Sequence, residues 1–518
     1  PAVSQFWPPA LRVFPVPPAS PLRVNPTNCP YSDEMQVKRG VAATDLVVFV
    51  AGNVNLICDK GPVAAARSCQ ADQYDRPTVG SVVVCLDRVD LASPSSKSKA
   101  TQVLVHEFAH ILGIRAVDFP YFRDPVAGGL PRTPRPFAKR QVTCVDGTPA
   151  NVIVPSSNTL HEGMTLRNNR YFEIVTPAVT TVARNQFGCP EMTGARLENA
   201  PTNDGNCFGT HWEARLFHSD YLTAIRGSTR QHLSPLTLAI LEDTGWYKPD
   251  YTKAALGPFG HGAGCDFVFG DCIVNGEIPP YGRDYFCSSL LSKSSELKCD
   301  PGHDYIAQCD LVNFADFPNS KPPPPSYRYF PNPKLGGLLH TADYCPMHSM
   351  VMSGTNSKGE FEFDCQDEEL VSKVEGEVFG KESKCFNTNL ARPICLKYRC
   401  NEAKHAVEVV FDSTVVTCER DGDMMDLIIG SKGSKFECPR LATVCPQLIC
   451  PANCAGRGTC DYSLPNPRCK CFNPSDTHPM CLNSPLPASS VVATAGTDTG
   501  GYAGGYGNVG GGYVNGGG

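Results

Sequence analysis

The residues His106-Glu107-Phe108-Ala109-His110, followed by Ile111-Leu112-Gly113, carry the densest chemistry in this chain. Histidines at i and i+4 of a helix stand one above the other on one face, so both imidazoles can reach a single metal ion. Glu107 lies beside them, able to touch a metal-bound water without ligating the metal. Neutral imidazole suits zinc, and three protein ligands leave a fourth, tetrahedral position open for water. Zinc lowers the pKa of that water from about 15.7 to about 7, which supplies a nucleophile at neutral pH. The plain alternative is an amphipathic helix with two surface histidines. The flanking residues argue against it. From Lys99 to Leu112 there is no Pro or Gly, and Val103, Leu104, Val105, Phe108, Ile111 and Leu112 make a broad apolar face. Gly113 stands where such a helix would be capped. A helix of this kind is buried, and buried histidines on it need partners.

Two histidines do not hold a catalytic zinc. In the extended motif HExxHxxGxxH a third histidine would fall at position 116, which here is Ala116, so the third ligand must come from further on. His161, His211, His218 and His232 are candidates, and a downstream acidic residue is chemically possible too.

The elements that must position these residues are partly visible. Asp45 to Ala51 and Val79 to Leu86 are apolar runs of strand length, and both precede the His106 helix. Strands before a long helix fit a sheet that covers the active-site helix of a zincin. Residues 115 to 205 interrupt that layout with Pro-rich turns and with Cys144 and Cys189. A second helix is signalled by Ser234 as N-cap, Pro235 at the first helical position and Gly245 as stop. From Cys265 to Cys445 the chain is cysteine-dense, which suggests a disulfide-stapled domain with little regular structure. The first 28 residues are Pro-rich and give no assignable pattern.

Composition bounds the function. A chain of 518 residues is too long for one core, and 41% hydrophobic residues suffice for several. A net charge of −6 without a basic run argues against nucleic acid or an anionic membrane surface as partner. No apolar stretch reaches the 18 or so residues of a membrane span. The 26 cysteines form no CxxC pair, so disulfides in an oxidising compartment explain them better than structural zinc sites. No Asn-x-Ser/Thr sequon has an allowed middle residue, so N-glycosylation is not expected. The chain opens at Pro1 without a signal peptide and closes on Gly-rich sequence without a hydrophobic anchor signal, as expected of a processed or incomplete chain.

Gly209-Thr210-His211-Trp212-Glu213, ninety-odd residues after HExxHxxG, resembles the leishmanolysins, zinc endopeptidases of the metzincin clan. The resemblance continues through Pro235 to Tyr247, Gly262-Ala-Gly-Cys265, and the segment from Pro324 through Tyr329-Phe330 to Cys345-Pro346, spanning roughly residues 20 to 450. It implies an α+β fold with a zincin catalytic domain in two parts, 29–114 and 206–260, around an inserted subdomain, 115–205. A cysteine-rich C-terminal domain, 261–449, would follow. It also implies His106, His110 and His211 as ligands of one zinc ion per chain and Glu107 as general base, with protein or peptide substrates.

Cys450, Cys454, Cys460, Cys469, Cys471 and Cys481 resemble an EGF-like module over 450–481, which implies the pairing 450–460, 454–469 and 471–481 and possible cell-surface or matrix partners. Residues 482–518 read as a disordered Gly-rich tail. The expected location is extracellular or at the cell surface, in the secretory pathway.

Two departures stand out. Leishmanolysins place a methionine in a tight turn beneath the zinc, eleven residues after the third histidine, and this chain has Leu222 there. Met347 and Met350 lie too far along to replace it. The family also carries more catalytic-domain sequence before the region of Cys29, so the first part of that domain is expected to be missing here. The rival expectation is a zincin-fold adhesion or binding protein acting through its C-terminal half. Glu107 counts against it, because a protein that only binds has no use for a base beside the metal.

Overall fold

The computed structural model describes the chain except residues 1, 18, 30–38, 60–61, 90–93, 200–206, 226–229, 292–295, 318–319, 352, 355–360, 369, 372–373, 375, 391, 412–413, 428–433, 489–513 and 516–518. Most of the expected Gly-rich tail therefore lies outside the described residues. The fold is α+β, with helices and small sheets held by disulfides.

Helix α1 (Ala2–Phe6) opens the chain. Strands β1 (Val47–Gly52), β2 (Ala64–Ala71) and β3 (Pro77–Val84) form one sheet in the order β1-β3-β2. β1 runs parallel to β3, with Val47 opposite Val79, and β2 runs antiparallel, with Ala65 opposite Val83. β3 sits in the middle and is buried along nearly its whole length, which is why it is legible as a continuous apolar run. β2 is an edge strand of small and polar residues without clean alternation, and sequence reasoning missed it.

Helix α2 (Pro94–Ile111) lies across this sheet and carries His106, Glu107 and His110. Its start lies several residues before the Lys99 suggested by the sequence, because Pro at a first helical turn is tolerated. Two glycines let it seat. A Cβ on Gly80 would stand 2.4 Å from Cγ2 of Ile111, so the helix rests almost on the strand backbone. Gly113 (φ +105) ends the helix in a conformation that favours glycine, and a Cβ there would meet the Trp246 ring at 2.6 Å.

The segment between α2 and His211 is ordered by its own small elements. β4 (Leu160–Met164) and β5 (Arg170–Ile174) pair antiparallel, and the short strand Ala195–Arg196 adds to β5. Helix α3 (Pro177–Phe187) packs on α4 (Pro235–Asp243), and Val179 N–H donates to the Asp243 carboxylate at 3.0 Å. Ser234 caps α4 through its hydroxyl, which accepts from the N–H groups of Leu236 and Thr237, and Gly245 (φ +75) closes it. The main core joins α1, α2, α3 and α4. The N-terminal residues without a sequence pattern contribute Val3, Trp7, Leu11 and Val13 to it.

The cysteine-rich region departs from the expectation of little regular structure. β6 (Ser383–Phe386), β7 (Ile394–Asn401), β8 (Ala406–Phe411) and β9 (Thr414–Cys418) form a four-stranded antiparallel meander. It has its own core of Phe386, Leu396, Val407, Val409 and Phe436. Cysteine density hid these strands, whose buried residues mix Phe386 and Phe411 with aliphatic side chains and cysteines.

All 26 cysteines are paired. Cys29–Cys69 and Cys58–Cys85 brace the first sheet, Cys144–Cys207 closes the inserted segment, and Cys189–Cys265 ties it to the chain beyond α4. The final six cysteines pair 450–460, 454–469 and 471–481 around the hairpin β10 (Gly458–Asp461) and β11 (Arg468–Cys471). This small unit is docked on the core. The Asn185 side chain donates to the carbonyls of Asn453 and Gly458, at 2.9 Å each, and accepts from Cys460 N–H at 2.9 Å. Arg457 pairs with Glu242 at 2.6 Å. Beyond Cys481, Ser484 is buried and donates to Asp476. No helix among the described residues is long and apolar enough to cross a membrane.

Two outcomes follow from this packing. Thiol titration of the denatured, unreduced protein should find essentially no free thiol, and several equivalents would contradict the bridges. Gly80→Ala should lower stability by about 1–3 kcal/mol in denaturant titration, because the new methyl overlaps Ile111. Combining it with Ile111→Ala should cost less than the sum of the two single changes.

Candidate metal centre

His106 and His110 project from α2, one turn apart, and His211 comes from the loop after the inserted segment. Their Nε2 atoms converge: 3.1 Å separates His110 from His106, and 3.2 Å separates His106 from His211. Tetrahedral zinc with bonds of 2.0–2.1 Å would hold its nitrogen ligands about 3.3 Å apart. The sequence offered four later histidines as third ligand, and His211 is the one brought to the pair.

Each ring is fixed from behind. His106 Nδ1 donates to the Tyr221 carbonyl at 2.6 Å, and His110 Nδ1 donates to the Ile114 carbonyl at 2.7 Å. His211 Nδ1 bonds Oε1 of Glu198 at 2.8 Å. A carbonyl can only accept, so the proton on His106 and on His110 sits at Nδ1, and in the neutral rings Nε2 presents a lone pair. Two lone pairs facing each other at 3.1 Å repel unless a cation lies between them, and the three donors therefore fit a metal ion. His110 is held well below the usual imidazole range, by burial first and then by the neighbouring His106 and His211, which favours the neutral, ligating form. Glu198 is buried, which alone would raise its pKa. His211 and the N–H groups of Thr210 and His211 outweigh that, and the carboxyl is lowered, so it is an anion.

Glu107 is half-buried and lines the same groove, of ≈ 710 Å³, as the three imidazoles. Ala64 to Ala66 of the edge strand β2 form one wall, and Thr223, Ala224, Ile225 and Gln231 form another.

The turn below the histidines is built by Asp220. Its carboxylate accepts from Leu222 N–H at 2.6 Å, from the Thr237 hydroxyl at 2.8 Å and from the Ser234 hydroxyl. Leu222 is 1% exposed, and its carbonyl accepts from Trp212 N–H at 2.9 Å. Leu222 thus lies buried beside the segment that carries His211, and Tyr221 next to it supplies the carbonyl that orients His106. The remaining histidines are elsewhere. His161 lies on β4 and pairs with Glu173, His218 is buried against the Phe259 ring at 5.2 Å, and His232 is half-buried where its backbone bonds Ser219 and Tyr221. Met347 is buried in the core, and Met350 lies on the strand His348–Val351.

Sequence reasoning missed Glu198 and Asp220. Neither belongs to a fixed-spacing motif. Nor does the local sequence mark them: Glu198 follows Ala195-Arg-Leu and precedes Asn199, a mixed stretch that gives no sign of burial.

A comparison with family models matches residues 28–125 and 156–451 to the peptidase family described as leishmanolysin. This chain belongs to the leishmanolysin family. The two matched stretches flank residues 126–155, inside the inserted segment, so the family's shared sequence includes α2, His211 and the Asp220 turn. Among named relatives, a leishmanolysin-like peptidase of Caenorhabditis briggsae is 30% identical over 392 residues, covering 70% of this chain and 57% of the relative. Leishmanolysin of Leishmania donovani is 26% identical over 425 residues, 78% of this chain and 62% of that protein. The ciliated left-right organizer metallopeptidase of Mus musculus is 27% identical over 369 residues, 69% and 42% of the two chains. The chain thus spans little more than half the length of the curated relatives it matches.

Asp220 provides a test of its turn. Burial raises its carboxyl to about 6, against 3.8 in the unfolded chain, so ionising it costs folding energy as pH rises through about 6, and that cost is absent below about 3.8. Asp220→Ala should lower stability by about 3 kcal/mol at pH 5, having stranded three donors. The deficit should be about 1 kcal/mol smaller at pH 8, where the wild-type penalty is fully expressed. Urea titrations at the two pH values give the comparison, and a deficit that grows with pH would contradict the assignment.

Proposed function

We propose that this chain is a zinc-dependent endopeptidase that hydrolyses peptide bonds in protein or peptide substrates, with His106, His110 and His211 as the ligands of one zinc ion and Glu107 as the general base. The observation that carries it is the convergence of three Nε2 atoms beside Glu107 in one open groove. When bound, zinc acts as a Lewis acid and acidifies water. The protein's own residues supply the rest. Glu107 takes the proton from the attacking water and returns it to the leaving nitrogen, so no covalent intermediate is needed. β2 has a strand neighbour on one side only among the described residues, and its Ala64 to Ala66 segment lines the groove, where an extended peptide can add as a further strand. The walls near the histidines mix apolar side chains such as Val103, Val117 and Ile225 with the polar Arg115, Thr223 and Gln231. Leu222 is buried where the family has methionine, with similar volume and no ligating role. Thirteen disulfides and no free cysteine suit an extracellular or cell-surface protein.

Glu107→Ala should reduce hydrolysis of a denatured protein substrate by about 10² to 10⁴-fold while one zinc per chain is retained, since the carboxylate acts on water. Metal chelation should abolish the same activity. Zinc-loaded wild-type protein that cleaves nothing, or an Ala variant as active as wild type, would overturn the proposal.

A further inference from the structure

The three rings at the metal centre are anchored in two different ways. His106 and His110 lean on backbone carbonyls, whereas His211 leans on a carboxylate. That carboxylate belongs to Glu198, at the end of the inserted segment and outside both parts of the catalytic region. We infer that Glu198 is the charged positioning residue of the metal centre, and that through it the inserted segment sets both the orientation and the donor strength of the third ligand. This inference rests on the metalloendopeptidase reading above.

The geometry around Glu198 is over-determined. Its side chain is 4% exposed, and Oε1 takes two bonds at once, from His211 Nδ1 at 2.8 Å and from Thr210 N–H at 3.1 Å. The backbone repeats the link: Glu198 N–H donates to the His211 carbonyl at 2.8 Å, and Glu213 N–H donates to the Arg196 carbonyl at 3.0 Å. Leu197 and Trp212 face each other in the same short antiparallel bridge. Gly209 (φ +82) closes the gap, since a Cβ there would stand 2.5 Å from the Glu198 carbonyl. Cys144–Cys207 anchors the loop two residues before that glycine, and Val145 N–H donates to the Cys207 carbonyl at 3.1 Å.

The electrostatics give this arrangement a purpose. Among the described residues Glu198 has an ion pair with His211 and with no Arg or Lys. A carboxylate behind the ring makes an imidazole a stronger donor to a divalent ion at its far nitrogen. His106 and His110, held by neutral carbonyls, gain no such strengthening. Glu198 is not among the residues that line the groove, so its effect is on the metal through His211.

Zinc affinity, measured by competition with a chromophoric chelator, tests this on wild type, Glu198→Gln and Glu198→Ala, alongside unfolding of the metal-free proteins. Gln keeps the shape and an acceptor for Nδ1 but removes the charge. The expected result for Glu198→Gln is affinity weaker by about 10–100-fold, with a changed visible spectrum of the cobalt-substituted protein and near-wild-type unfolding without metal. Ala should be weaker still. Wild-type affinity and an unchanged cobalt spectrum in Glu198→Gln would overturn the inference while leaving the metalloendopeptidase reading intact. A wild-type chain that takes up no zinc would overturn both. Should the variants fail to fold, proton NMR of the zinc-loaded wild type decides. The Nδ1 proton of His211 should lie furthest downfield of the three ligand protons, as a charge-assisted hydrogen bond requires. A resonance level with those of His106 and His110 would count against Glu198.

Discussion

Everything at this site depends on holding three imidazoles so that their Nε2 lone pairs meet at one point. Neutral rings arranged this way repel one another, and the bonds at the opposite nitrogens keep them from turning away. The fold supplies those bonds from three unrelated places: Ile114 just past the end of α2, the turn at Tyr221 and the exit of the inserted segment at Glu198. The sheet, the insertion and α4 are positioned by that requirement. β3 and Gly80 set the depth of α2, while Ser234 and Thr237 at the start of α4 hold Asp220 and so the turn.

The division of the site across the chain explains why the inserted segment is not a separable ornament. It leaves after α2 and returns immediately before His211, so any change in its seating would move that imidazole. α3 is fixed to α4 through Asp243, and Cys189–Cys265 and Cys144–Cys207 remove the remaining freedom. The site is therefore rigid on its protein side and open on its solvent side. The proposed hydrolytic role calls for that combination, because positioning gains are lost with displacements of about 1 Å.

Those parts of the molecule governed by local spacing were legible in the sequence. The i, i+4 histidines, the Ser234-Pro235 helix start and the buried runs at β1 and β3 each follow from short-range geometry and stand close to where the residues put them. His211 needed resemblance rather than spacing, because the distance from His110 is set by an insertion with its own fold. Glu198 and Asp220 were illegible, since a buried acid looks like any other acid until its partners are known. The edge strand β2 and the meander β6–β9 were hidden for a different reason. One is made of small residues that give no alternation, and the other is masked by cysteines that occupy positions aliphatic residues would otherwise mark.

The last small unit carries a conformational tension that its sequence does not announce. Ala452, Asn453, Cys454 and Ala455 all have positive φ, between 47° and 58°, a left-handed turn built without glycine. Each such L-residue costs about 1–2 kcal/mol relative to its right-handed alternative. The turn persists because Cys450 and Cys454 are bridged within the unit and because Asn185 and Gln186 of α3 grip Asn453 from outside. Half of that grip belongs to the helix, so the unit's shape is a property of the docked protein rather than of its own thirty-odd residues. Expressed alone, the same cysteine pattern would relax toward a different backbone, and its surface would misreport the one the intact chain presents.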